Sequence, residues 1–402
     1  MRSGSDMTSV AAKPDRRGGR RPPARAGADL AVVSPSDATD TADAGATTTT
    51  TDAPSPAPTG RRPLALICLP LLAALAVAIA AGVSLGSVSI PIGDVWAIVA
   101  HRFAPGAFEP WWTDAREAIV LESRLPRALM AAAVGASLAV AGGVAQAVTR
   151  NPLADPYLLG VSSGAGFGVV ALTVLGVGAG MWGVFTLPMA AFVGALLPLA
   201  GVVLVARRAH DTTAIVLVGA AMTMVFGALN TFTLLVLGDD HQLGTVMRWL
   251  AGGFGDAGWT MVWAPIAILV VTGTVVMLCS RHLDLLLTGD DGATAMGVHV
   301  PRFRILMLLL VSLLTAGAVA VSGTIGFIGL LIPHLAGFLT GRTSARLLPT
   351  AALLGALALV LADIAARAVS EGAELPVGVI TGVVGGPVFL AMLWRRYGKA
   401  SI

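Results

Sequence analysis

LALICLPLLAALAVAIAAGVSLG, residues 64–86, runs for 23 residues without a charged side chain. A helix needs roughly 20 apolar residues to cross the hydrocarbon of a bilayer, so this stretch reads as a membrane-spanning helix. Comparable runs follow at 128–148, 158–178, 184–206, 214–237, 258–279, 303–322, 325–340, 347–369 and 376–394. The pattern predicts an all-α polytopic membrane protein of about ten transmembrane helices. The run at 325–340 is short and holds Gly326, Gly329 and Pro333, which suits a broken or half-length helix shielded by other protein.

Composition agrees. Of 402 residues, 55% are hydrophobic and 12% charged, and the mean hydropathy is +0.82. That charged share is about half the usual one for a soluble domain. Forty-eight glycines against two tyrosines suit helices that pack through small residues. The net charge of +3 comes with no basic face carrying interleaved aromatics, so nucleic acid is not an expected partner. Cys68 and Cys279 sit inside apolar runs and read as small hydrophobes. The six histidines lack paired ligand spacing, so no metal site is expected. The two lysines are Lys13 and Lys399, and Gly398-Lys399-Ala400 is not a P-loop. The chain is therefore expected to bind no ATP in that manner and no cofactor of its own.

Residues 1–60 differ from the rest. They are rich in Ala, Thr, Pro, Asp and Arg, basic over Lys13–Arg25 and acidic over Asp29–Asp52. Nothing there can bury a core, so they are expected to form a disordered cytoplasmic extension ahead of a permease domain at 61–402. Their length before the first apolar run argues against a cleaved signal.

Short-loop cations set the expected orientation. With the N-terminus inside, cytoplasmic segments hold Arg61, Arg62, Arg150, Arg207, Arg208, Arg281, Arg302, Arg304, Arg342, Arg346, Arg395, Arg396 and Lys399. Outer segments hold Arg102, Arg116, Arg124, Arg127, Arg248 and Arg367. Both termini are thus expected in the cytoplasm, and the outer arginines run against the trend. Arg124-Leu125-Pro126-Arg127 reads as a stiff cationic corner at the outer rim, either snorkelling to headgroups or docking an acidic partner. Asp363 and Arg367 are i,i+4 neighbours and read as a helix-face ion pair with a possible functional role.

Two further segments carry pattern. Asn151-Pro152 and Asp155-Pro156 break a helix ahead of Gly160-Val161-Ser162-Ser163-Gly164, chiefly a tight turn and a packing face. In the cytoplasmic connector 283–300, Gly289 and Asp290 start a short helix that ends near Gly297. Its small residues would let it seat in a groove on another protein, although a solvated connector fits the spacing as well.

Together these segments resemble the permeases of bacterial ABC importers for ferric siderophores, haem and cobalamin, the FecCD type. The resemblance rests on Arg124–Arg127, NPLADPYLLGVSSGAG at 151–166, WLAGGFG at 249–255, GTIGFIGLLIPH at 323–334 and LADIAARAVSEGAELPVGVITGVVGGP at 361–387. It spans roughly residues 64–398 and implies the type II ABC importer permease architecture. It further implies a second permease subunit, identical or paralogous, a cytosolic ATPase dimer holding ATP and Mg, and an extracytoplasmic substrate-binding protein. Arg124, Arg127 and Arg367 match the arginines that meet glutamates of that binding protein. Gly289, Asp290, Asp291, Ala293, Ala295 and Gly297 match the helix that seats in the ATPase, although Asp290-Asp291-Gly292 departs from the family's usual glutamates. Asn230, Thr231 and Thr233 are expected along the translocation path. Asn151, Pro152, Pro156, Gly160, Gly164, Pro333, His334, Pro376 and Gly378 are expected as structural motif positions. A ferric siderophore is the expected cargo, with haem or cobalamin as alternatives. An ion-coupled transporter would want a midplane carboxylate, and an intramembrane enzyme would want a partner for His334; the sequence offers neither.

Overall fold

The computed structural model describes residues 63–86, 88–106, 109–176, 183–208, 212–369 and 374–397. The expected extension at 1–60, Lys399 and residues 370–373 lie outside them.

The described chain is helical. In order come α1 (Ala65–Ser84), α2 (Ile92–Phe103), α3 (Asp114–Ala118), α4 (Leu125–Thr149), α5 (Val161–Leu175), α6 (Thr186–Ala206), α7 (Thr212–Leu237) and α8 (Asp240–Leu250). Then follow α9 (Trp259–Leu278), α10 (Ser280–Leu286), α11 (Asp290–Ala295), α12 (Val300–Ser322), α13 (Ile328–Thr340), α14 (Ser344–Ala368) and α15 (Val377–Tyr397). Among the described residues, 8 helical segments are long and apolar enough to span a membrane, namely those of α1, α4, α6, α7, α9, α12, α14 and α15.

Two of the expected spans form short helices, one of them, at 325–340, as its glycines and proline suggest. The run at 158–178 forms α5 over Val161–Leu175 and the run at 325–340 forms α13 over Ile328–Thr340. Backbone at left-handed φ trims both. Gly160 (φ 78°) and Gly176 (φ 66°) bound α5, and Phe327 (φ 68°) precedes α13. The first is stopped by its proline turn: Asp155 accepts the Tyr157 N–H at 2.8 Å and caps a single 3-10 turn at Pro156–Leu159.

α4 is the axis of the bundle, buried along 89% of its apolar stretch, against 11% for α7 and 17% for α15. It packs on α14, α12, α13, α9 and α1, while α5 packs on α6 and α7. Small residues permit this. A Cβ on Gly142 would lie 1.8 Å from the Gly329 carbonyl oxygen, so α4 and α13 touch backbone to backbone there. A buried helix that is small and apolar all round has no amphipathic signature, and α4 reads Ala-Ala-Ala-Val-Gly-Ala-Ser through its middle.

Candidate functional site

At its N-terminal end α4 is entered through α3 and one π-helical turn, Ile119–Arg124, in a continuous stretch from Asp114 to Thr149. The wider turn brings both Arg124 and Arg127 inward. The exposed cationic corner expected here is not what forms: Arg124 is 5% exposed and Arg127 8%. Carbonyls and carboxylates buried beside them compensate for that desolvation.

Arg124 donates from Nη1 to the Val83 and Ser84 carbonyls at 3.1 and 3.0 Å, and from Nη2 to the Val88 carbonyl. Arg367 donates from Nη1 to the Leu85 carbonyl at 2.7 Å and from Nη2 to the Gly82 carbonyl at 3.0 Å. Two guanidinium groups thus cap the C-terminal end of α1, where helix carbonyls lack intrahelical partners and the dipole is negative. Arg127 Nε meets Asp363 Oδ1 at 2.9 Å, and its Nη1 forks onto both Glu374 oxygens at 3.0 and 2.8 Å. Asp363 Oδ2 takes Arg367 Nε at 3.1 Å. The i,i+4 pair read from the sequence is therefore real in geometry, and it forms half of a larger network. Glu374, just before α15, is the member that sequence reasoning missed, since an acid in a loop carries no periodic signal.

A second cluster gathers where α4 ends. Arg150 closes α4 in the left-handed region at φ 51°. Its Nη2 reaches Asp290 Oδ1 at 3.0 Å, and Arg304 of α12 reaches the same oxygen at 2.9 Å. Gly289 (φ 99°) and Gly297 (φ 87°) bracket α11. The short helix read from the sequence is present, with its residues divided between two jobs. Asp290 holds the helix to the body, and Ala293 is buried against the core. Asp291, Ala295 and Gly297 are exposed, as is Met296, which the sequence reading did not single out. Within α10, Asp284 accepts the Ser344 N–H at 2.8 Å and ties that helix to α14.

The motif glycines and prolines form packing joints. Pro156 lies against Gly329, and Gly160 and Gly164 lie against Pro198. Asn151 Oδ1 accepts the Leu153 N–H at 2.9 Å in the turn that also contains Pro152. Pro333 is buried inside α13, and His334 stands edge-on to Phe338 with centroids 5.0 Å apart. Pro376 introduces α15, and the Gly378 N–H donates to the Gly252 carbonyl at 3.3 Å. There 249–253, 322–324 and 376–378 meet. The Gly253 N–H donates to Ser322 at 2.8 Å, and Thr324 Oγ1 donates to the Leu250 carbonyl. Tyr157 joins them through its hydroxyl, which donates to the Ile325 carbonyl at 3.0 Å.

The three path candidates on α7 do not share a face. Thr231 is exposed, whereas Thr233 is 6% exposed and Asn230 donates from Nδ2 to the Ser163 carbonyl at 3.1 Å. Successive helix positions turn by about 100°, so Asn230 and Thr233 face the inside of the subunit in this conformation. Uncovered side chains include Leu217, Met224, Phe232 and Leu235 on α7, and Val383 and Leu390 on α15.

The model of the FecCD transport family matches residues 74–395. An uncharacterized ABC transporter permease of Bacillus subtilis strain 168, YvrB, is 39% identical over 329 residues, covering 80% of this chain and 92% of its own length. The vitamin B12 import system permease BtuC of Salmonella paratyphi A is 39% identical over 311 residues, covering 76% of this chain and 90% of its own. Among solved structures, an inward-facing conformation of a metal-chelate type ABC transporter superposes with a TM-score of 0.72 at 28% identity, over 82% of this chain and 99% of that one.

Proposed function

This chain belongs to the FecCD transport family, and from that premise we propose that the cargo it passes is a ferric siderophore. It is an integral membrane protein and the permease component of an ABC importer, a transporter subunit rather than an enzyme. The observation that carries the cargo reading is the uncovered apolar side chains of α7 and of α15: Leu, Val, Met and Phe, with exposed Thr231 among those of α7. Such side chains suit a bulky organic chelate that arrives with its metal already ligated. The likeness to a metal-chelate type transporter points the same way. A second reading, cobalamin, is favoured by the 39% identity to BtuC.

The same side chains close on a second permease subunit, identical or paralogous, and cargo passes between the two. ATP and Mg act on a cytosolic ATPase dimer, which seats the exposed side of α11, with Asp291, Ala295, Met296 and Gly297, and this chain binds no cofactor. Both termini are cytoplasmic. A substrate-binding protein docks outside at Arg124, Arg127 and Arg367, where its acidic groups compete with Glu374 for Arg127. Each partner shifts the permease only through its different affinity for the two conformations. Loss of α11 contacts therefore lowers transport while ATP turnover continues.

Uptake of radiolabelled iron decides the cargo, in cells with and without this gene fed a panel of ferric siderophores and, separately, haem and labelled cobalamin. Loss of one siderophore, restored by the wild-type gene, is the expected result. Loss of cobalamin alone would replace siderophore with the second reading.

A further inference from the structure

Beside the N-terminal end of α4 lies a cleft of about 540 Å³ between α2 and α9, apart from both ionic clusters and from α7 and α15. Its walls carry Arg102, Phe103, Glu122, Trp259 and Trp263. α2 buries Val95 and Ile98 against the bundle and leaves Ile92, Trp96 and Phe103 uncovered, Phe103 being 86% exposed. A helix with apolar side chains outside as well as inside, at the end of spanning helices, lies in the membrane interface. Trp259 and Trp263 stack with centroids 6.2 Å apart, and the Trp259 indole N–H donates to the Leu121 carbonyl at 2.8 Å. That bond fixes the pair as one wall, where Trp is favoured because one end of the ring is apolar and the other wet.

The charges decide the occupant. Arg102 and Glu122 are both exposed, both line the cleft, and among the described residues neither takes part in an ion pair. Arg116, Arg124, Arg127 and Arg367 are each committed to a carbonyl or carboxylate. Arg102 also complements the end of α2 as a last-turn cation, but that duty uses none of its donors. A cation and an anion standing apart in one cleft, beside an aromatic wall at the hydrocarbon edge, match a zwitterion whose own charges are separated by a short linker.

We propose that this cleft binds a phospholipid whose headgroup carries an ammonium, with the phosphodiester on Arg102, the ammonium on Glu122 and the glycerol and first acyl carbons along Trp259 and Trp263. A phosphate takes a guanidinium fork, and a primary ammonium donates three hydrogen bonds to which a carboxylate is suited. The inference holds for any cargo, so failure of the siderophore reading leaves it standing.

The test is native mass spectrometry of the purified full chain, released from nanodiscs holding equal phosphatidylethanolamine, phosphatidylcholine and phosphatidylglycerol. Phosphatidylethanolamine is expected to be the lipid retained. Arg102→Ala is expected to lower retention of every phospholipid about tenfold, the worth of one charge-assisted hydrogen bond. Glu122→Gln is expected to abolish the preference for phosphatidylethanolamine over phosphatidylglycerol while leaving total retention within about twofold. Equal retention of the three lipids by the wild-type protein, or retention unchanged in both variants, would overturn the proposal. So would disulfide cross-linking of Trp263→Cys between two copies, which would place a second copy in the cleft. A titration of the wild-type protein with short-chain phosphatidylethanolamine, read by tryptophan fluorescence, gives an answer that needs neither charge variant. A saturable shift absent from Trp259→Phe/Trp263→Phe supports the site, and a non-saturable one removes it.

Discussion

The two ionic clusters sit at opposite ends of α4 and are built alike, each with one carboxylate shared by two arginines, yet they differ in how far water reaches them. At the N-terminal end the Asp363 side chain is 1% exposed; at the C-terminal end Asp290 is 36% exposed. The first network joins α1, α4, α14 and the loop just before α15, and the second joins α4, α11 and α12. Charge buried without water depends on its partner for nearly all of its solvation, whereas charge half in water can exchange partners at small cost. The Asp363 network therefore holds the fold, and the Asp290 network is free to serve as a joint.

The comparison is broken most forcefully at Asp363. Asp363→Ala removes the buried carboxylate shared by Arg127 and Arg367, leaving them only Glu374 and the α1 carbonyls, and is expected to destabilise by about 3–5 kcal/mol. Loss of folded protein on gel filtration, or a large drop in unfolding temperature in detergent, would show it; a variant as stable as wild type would make the two clusters equivalent.

Asp290→Ala is expected to lower stability by only about 1–2 kcal/mol, because Arg150 stays hydrated although Arg304 is 4% exposed. Its larger effect is on coupling: ATP turnover by the assembled importer should continue with transport reduced. Transport and turnover falling together would assign Asp290 to the fold instead.

Glu374 sharpens the same contrast within the first network. It is 47% exposed against 1% for Asp363, so Glu374→Gln is expected to change stability by less than about 1 kcal/mol. It should tighten binding of the substrate-binding protein, by removing a carboxylate that competes for Arg127. Surface plasmon resonance on the nanodisc-embedded importer measures this, and weaker binding would make Glu374 part of the docking surface.

A carboxylate paired with no arginine among the described residues shows itself in pH rather than in partner loss. Asp155 accepts only the Tyr157 N–H, and burial pushes its carboxyl up to about 6, partly offset by that hydrogen bond. A carboxyl whose folded value is raised favours the folded protein below its ordinary value near 3.8, and that contribution is lost as pH rises through about 6. Stability is expected to fall by roughly 2–3 kcal/mol between pH 4 and pH 7 from this group alone. Asp155→Asn keeps the acceptor and should flatten that part of the profile of unfolding temperature against pH.

Much of this was legible in the residues. Long uncharged runs gave the spanning helices because the hydrocarbon admits little else. Gly289-Asp290 and Gly297 gave the short α11 because those residues stop and start helices. The Asp363–Arg367 spacing gave an ion pair. The half-length α13 was legible from Gly326, Gly329 and Pro333, whereas the shortened α5 was less so, since an apolar run looks the same whether left-handed residues such as Gly160 and Gly176 bound it or not. The expected exposure of Arg124 and Arg127 failed for a related reason: their burial depends on a π-helical turn and on carbonyls and carboxylates 36 to 247 residues away along the chain.

The sequence by itself determined the class of molecule, the sites of its breaks and the family to which it belongs, because these follow from local hydropathy, turn chemistry and ordered motifs. Tertiary structure decided which charges are sheltered, which small residues touch and which faces of α7 and α15 remain uncovered. Those properties depend on which distant segment supplies the missing hydrogen bond or fills the space where a Cβ is absent, and no local pattern encodes that partner.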